Sequence, residues 1–226
     1  MSAKTLPVAG LVMAGACLCA APPASGSRGD QAALFMRSSA MHGGVRRVIL
    51  PEEMTGQDLR MLALAKAAAK ECARVLERAL DTGIKSDEEL FSALYFPVLP
   101  PTVPPTFTTF YDDYTDKFIT PIEDRYLARD RDVIFLVLVD ANGYVPSHNS
   151  KYAQPPTGDP RADLKRRRTK RIFNDITGFF AAKHARGVLI QIYRRDTGES
   201  IADLSIPVAV KGRHWGALRV GYARKS

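Results

Sequence analysis

The side chains best suited to bind a small polar molecule lie in residues 140–152, which read D-A-N-G-Y-V-P-S-H-N-S-K-Y directly after an apolar run over 133–139. A buried strand that ends in an Asx/Gly turn at Asn142-Gly143 presents its succeeding residues above a sheet. Tyr144, His148, Asn149 and Tyr152 then supply donors, acceptors and aromatic faces around one turn, the mixture a selective pocket needs. The competing reading is structural, with Asn142-Gly143 making the turn while His148 and Asn149 cap the next loop. Two charged pairs extend the set. Arg171 and Asp175, four residues apart, are expected on one side of a helical turn, as an ion pair or as half of a clamp for a zwitterion or carboxylate. Arg195 and Asp203 are expected on adjacent strands across the turn 196–199, beside Tyr193, again as a pair or facing a ligand.

Other chemistries find less support. There is no G-x-S-x-G, no H-E-x-x-H and no Walker-type glycine run, so no enzyme is expected. His42, His148, His184 and His214 lack metal-ligand spacing and no C-x-x-C-H occurs, so no metal, covalent haem or other cofactor is expected. The formal charge of +8, from 32 basic and 24 acidic residues, is partly gathered in Arg161, Lys165, Arg166, Arg167, Arg168, Lys170 and Arg171. That run lacks the interleaved aromatics that stack bases; it reads as a solvated loop face, and no nucleic-acid partner is expected.

The elements that must position these residues are set by periodicity. At 226 residues with 46% hydrophobic content, one principal domain is the default. From Thr55 the positions Leu59, Leu62, Lys66, Ala69, Cys72 or Ala73, Leu76 and Leu80 follow three- and four-residue spacing, with a Thr55/Asp58 capping box and a stop at Gly83, which predicts a long amphipathic helix. Ser86 with Glu89 starts a shorter helix through Leu94. Five prolines make 96–105 an extended connection. Phe107, Phe110 or Tyr111, Tyr114, Phe118 and Ile122 restore helical spacing, with a break near Pro121. Apolar runs at 133–139, 188–195, 200–210 and 214–222, the last three joined by short glycine-bearing links, predict strands ending in an antiparallel meander. Trp215 is expected to pack on that sheet. The insertion 146–186 is too long for a plain connection, and 173–182 reads as a short helix within it.

The chain opens with Lys4, an apolar stretch over 6–21 and then Pro22, Pro23 and small residues, the layout of a secretory signal peptide over 1–26. A periplasmic or secreted product is expected, with lipoprotein anchoring through Cys17 as the alternative. Residues 27–54 read as a flexible leader. Cleavage would leave Cys72 alone, unable to form an internal disulfide.

The stretches D-A-N-G-Y-V-P-S-H-N-S-K-Y, K-R-I-F-N-D-I-T-G, Y-R-R-D-T-G, D-L-S-I-P-V and G-R-H-W-G-A-L-R-V-G-Y, in this order, resemble the extracytoplasmic Cache-type (PAS-like) sensor domain of bacterial methyl-accepting chemotaxis proteins. The resemblance implies an α+β fold in which a long N-terminal helix lies beside a five- to six-stranded antiparallel sheet, with a ligand pocket between sheet and covering loops. A single sensor domain over 55–226 is then expected, with helices over 55–128 and the sheet with its pocket loops over 132–222. Its function would be to bind a small polar metabolite and to signal through a separate, membrane-bound partner, because this chain stops four residues after Tyr222. The alternative is a structural or scaffold domain that kept the fold without a ligand.

Overall fold

Capping boxes and prolines set most of the boundaries in the computed structural model, which describes residues 45–225. The signal peptide, both cysteines within it and residues 27–44 of the leader lie outside the described residues. In chain order the elements are β1 (Val45–Ile49), α1 (Gly56–Asp81), α2 (Asp87–Leu90), β2 (Phe96–Pro97), β3 (Phe107–Thr108), α3 (Asp112–Phe118), α4 (Thr120–Leu127), β4 (Val133–Asp140), α5 (Pro160–Arg166), α6 (Ile176–Lys183), β5 (Leu189–Arg194), β6 (Ser200–Val210) and β7 (Arg213–Tyr222).

Helix α1 starts where the capping box placed it. The Thr55 hydroxyl accepts from the Asp58 N–H, and an Asp58 carboxylate oxygen accepts from Thr55 N at 2.7 Å. Gly83, at φ +68, ends it in the left-handed conformation that glycine adopts without strain. Met61, Ala65, Ala68, Ala69, Cys72, Leu76 and Ala79 form the buried stripe, and the small side chains let the helix lie close on β6 and β7. Leu59, expected in the stripe, is 55% exposed. Helix α2 ends at Leu90 rather than Leu94. The proline-rich connection is closed at its ends by the two-residue pairing of β2 with β3. The aromatic stripe divides at Ile119, one residue before the proline-bearing first turn of α4.

Five strands form one antiparallel sheet in the order β1-β5-β6-β7-β4. The meander β5-β6-β7 is present as expected, and β1 is a correction to the leader: Ile49 pairs with Ile190 across an edge that the sequence did not disclose. A register break between Val45 and Arg47 destroys the two-residue alternation by which strands are recognised.

Alternation sorts the longer strands onto two faces. Leu136, Leu138, Ile190, Leu204, Leu218 and Val220 meet α1 and α4 in the main core. Phe135, Val137, Val139, Ile201 and Ala217 form a second, smaller core with Val145 and Ala182 of the 146–186 region and its flank. Trp215 is buried, its indole N–H donating to the Leu90 carbonyl at 2.9 Å.

Among the described residues the outer edge of β4 has no neighbouring strand and is covered group by group instead. Ile134 O accepts from the Tyr152 hydroxyl, Leu136 N donates to Asn149 Oδ1 at 2.9 Å, Leu138 N donates to Glu123 Oε1 at 2.9 Å, and Asp140 N donates to Tyr144 O. Far from this edge, the first turn of α1 is tied to the end of β7. The Gln57 amide donates to Ala223 O and accepts from Lys225 N, while Asp58 accepts from the Tyr222 hydroxyl and from Arg224.

Candidate functional site

On the second face of the sheet the apolar pattern is interrupted by a row of buried polar side chains: Gln191, Asp203, Ser205 and Arg219. Each has the strand parity of a core position. Asp203, with no exposed surface, accepts from Nε of Arg219 at 3.1 Å and from its Nη2, and Ser205 donates to the other carboxylate oxygen. Burial alone would pull the Arg219 guanidinium down; the Asp203 carboxylate more than offsets this, and the net direction is up.

The insertion lies over this row. Residues 143–145 pair with 170–173: Val145 N donates to Arg171 O at 2.9 Å, Phe173 N to Gly143 O at 2.8 Å, and Tyr144 bridges Ile172. Gly143, at φ +81, allows the approach, since a Cβ there would stand 2.3 Å from the Phe173 carbonyl oxygen. This pairing holds residues 168–177 above β5 and β7 and leaves a cleft of about 350 Å³ between them. Its wall comes from Arg168, Arg171, Phe173 and the first turn of α6, its floor from Tyr193 and Arg219, and its end from Arg195 and Asp196 in the β5–β6 turn. A smaller void of about 30 Å³ shares Arg168, Phe173, Tyr193 and Arg219 with the cleft and reaches Phe135, Val145 and His148.

The predicted residues divide between cleft and frame. Arg171, Asp175, Tyr193 and Arg195 line the cleft, and His148 lines the inner void. Tyr144 is fully buried on the other side of its turn, donating to Asp112 at 2.9 Å and to Phe107 O at 3.1 Å. Asn149 and Tyr152 cover the β4 edge, although the Tyr152 ring also packs against His148 with centroids 5.0 Å apart. Asp203 sits behind Arg219. Both predicted pairings are corrected. Arg171 precedes the helix in an extended stretch while Asp175 is the N-cap of α6, so they share no helical turn; Arg171 pairs with Asp196 at 3.6 Å. Asp203 lies opposite Gln191 and pairs with Arg219, and Arg195 has Glu199 as its partner at 3.9 Å.

The basic run is not a uniform solvated face. Arg168 is buried, binds Asp196 at 3.0 Å and lies over the Phe173 ring; Lys170 binds Asp116 at 2.9 Å. Arg161, Lys165 and Arg166 stay exposed. Arg168, Phe173, Asp196 and Arg219 are cleft residues that sequence reasoning missed. For Arg219 a signal existed: it and Asp203 are opposite charges inside apolar strand runs, and strand interiors accept charge chiefly in pairs.

The cleft is electropositive. Burial, and then Arg168, pull the Arg171 guanidinium down to about 10, against Asp196 and Asp175, so it stays cationic at neutral pH under positive pressure. Burial and then Arg168, Arg195, Lys151 and Arg219 hold His148 well below the usual imidazole range, so the ring is neutral. Several buried atoms here make no hydrogen bond: Arg171 Nη1, Arg195 Nε, Thr177 Oγ1 and His148 Nδ1. Buried donors without acceptors are uncommon in folded proteins, and an ordered water, an ion or a ligand can each supply the acceptor.

Among the described residues no group of three or more His, Cys, Asp or Glu is placed to hold a metal ion, and no helix is long and apolar enough to cross a membrane. Comparison with protein-family models, with curated proteins and with solved structures returns no match.

Proposed function

We propose that the chain is a small-molecule-binding sensor module whose ligand occupies the cleft between the sheet and residues 168–177, and that it is exported and acts through a separate membrane-bound signalling partner. The observation that carries the reading is the pair of buried guanidinium N–H groups, Arg171 Nη1 and Arg195 Nε, that have no acceptor among the described residues at the wall and end of a cleft large enough for a metabolite. An α+β fold with the helix α1 packed on a five-stranded antiparallel sheet is compatible with the Cache-type sensor resemblance, and the five motif stretches of that resemblance include most of the cleft's wall and floor. Export rests on the sequence of residues 1–26.

The test is a thermal-shift screen of polar metabolites, because a ligand that binds only the native state stabilises it by mass action, by about 2.7 kcal/mol at a hundredfold excess over Kd. For a ligand found this way, Arg171→Ala and Arg195→Ala are each expected to weaken binding by about 1.5–3 kcal/mol, the worth of a hydrogen bond to a charged group. Calorimetry of the variants decides: unchanged affinity in both removes the ligand from the cleft, whereas a screen that yields no ligand favours a scaffold domain.

A further inference from the structure

The charges around the cleft do not balance. Five arginines line it: Arg194 is exposed, whereas the side chains of Arg168, Arg171, Arg195 and Arg219 are only 9, 13, 7 and 7% exposed. Asp203 neutralises Arg219. Asp196 is a single carboxylate shared by Arg168 at 3.0 Å and Arg171 at 3.6 Å, and it is itself one-third exposed. Arg195 has only Glu199, 3.9 Å away on a side chain 59% exposed to water, which screens the pair. Asp175 caps α6, accepting from Gly178 N, and stands at the exposed rim. With Asp203 set against one guanidinium and the shared, part-exposed Asp196 against a second, two of the four buried positive charges are left, among the described residues, with no carboxylate beyond the exposed Glu199, and an unpaired buried charge is costly.

We propose that the ligand is a compact dianion, its negative groups accepting hydrogen bonds from the unpartnered N–H groups of Arg171 and Arg195 within the field of Arg168. The proposal rests on the cleft being a ligand site, and adds which ligands it takes. A monoanion leaves one guanidinium unanswered. A zwitterion brings an ammonium group into a field with a surplus of positive charge, where the nearest carboxylates are committed to arginines or to a helix cap. Electroneutrality therefore selects two negative charges on one small body, a chemistry shared by short dicarboxylates and by phosphate or its monoesters. The void beside His148, with room for one or two non-hydrogen atoms, takes the ligand's uncharged part.

The full chain is titrated calorimetrically at about pH 8, above the second phosphate ionisation, and at constant ionic strength. The probes are succinate, its monoanionic chain analogue butyrate, inorganic phosphate and glutamate. Succinate or phosphate is expected to bind at least tenfold more tightly than butyrate or glutamate, and the stronger of the two identifies the source. Arg195→Gln is expected to shrink that ratio to below threefold while the melting temperature without ligand shifts little. Butyrate or glutamate binding as tightly as the dianions overturns the charge argument and leaves the cleft a ligand site. Failure of both dianions, when a neutral or monoanionic metabolite from the thermal screen binds and loses affinity in Arg171→Ala, overturns it equally. Failure of all four probes and of the whole screen instead defeats the underlying reading of the cleft.

Discussion

Asp203→Ala is expected to destabilise the domain by about 3–5 kcal/mol, among the largest losses any single substitution outside the main core should cause. The carboxylate has no exposed surface and is the only buried counter-charge to Arg219 among the described residues, so its removal strands a guanidinium against the Phe135–Ile201 core. Removing both charges together avoids that penalty. The double variant Asp203→Leu/Arg219→Met is expected to recover most of the lost stability, because apolar residues of similar volume replace a buried pair at little net cost. The same double variant should still bind the anion, since it removes a mutually neutralised pair and leaves Arg168, Arg171 and Arg195 in place. Urea unfolding of the three proteins separates the terms. A loss below about 1 kcal/mol in Asp203→Ala would mean that water reaches the pair, and would remove the buried-charge account of the site.

The second large effect concerns pH. Glu123 has no exposed surface, and burial pushes its carboxyl up to about 8, against the pull of the Leu138 N–H and Ser147. Its Oε2 and the Ser147 hydroxyl make no hydrogen bond of normal geometry, so nothing adequate receives the charge when it forms. The folded chain therefore holds a proton that the unfolded chain releases near 4.5. The stability this contributes is fully present below pH 4.5 and is lost as pH rises towards 8, with a slope approaching about 1.4 kcal/mol per pH unit in that window. Asp58 works in the opposite sense: burial raises it, but Arg224, Tyr222 and Thr55 outweigh this and hold it at about 2, so its contribution is present above 3.8 and is lost as pH falls towards 2. Glu123→Gln keeps an acceptor for Leu138 N and removes the titration. Stability curves of wild type and variant should converge near pH 4 and separate by several kcal/mol at pH 8, the variant being the more stable. Parallel curves across that range would show that Glu123 is ionised in the folded protein.

The main architecture was legible because it rests on repeated local signals. A helix with seven buried apolar stripe positions and caps at both ends, and three strands joined by turns of a few residues, announce themselves whatever the tertiary context. Strand β1 was not legible, since five residues with two arginines and a register break carry no alternation. The site was half legible. Residues 140–152 were marked as one convergent polar set, yet of the four marked side chains only His148 reaches the inner void, because hydrogen-bonding capacity does not say whether a group serves a ligand or the frame. Tyr144 and Asn149 use theirs on Asp112 and the β4 edge. Partner choice across strands was misjudged for a geometric reason: Asp203 has Gln191 on one side and Arg219 diagonally on the other, and sequence proximity to Arg195 gave no guide to that register.

The tie between the first turn of α1 and the end of β7 has a kinetic meaning. Its hydrogen bonds join residues 164 to 168 positions apart, and a closure of that span is paid in chain entropy that no local contact returns. Until α1 has docked on β6 and β7, Asp58 and Tyr222 have no means of finding each other. The tie is expected to form after the folding barrier, so that breaking it should speed the unfolding arm of a chevron and leave the folding arm unchanged. It is a latch on escape, not a nucleus.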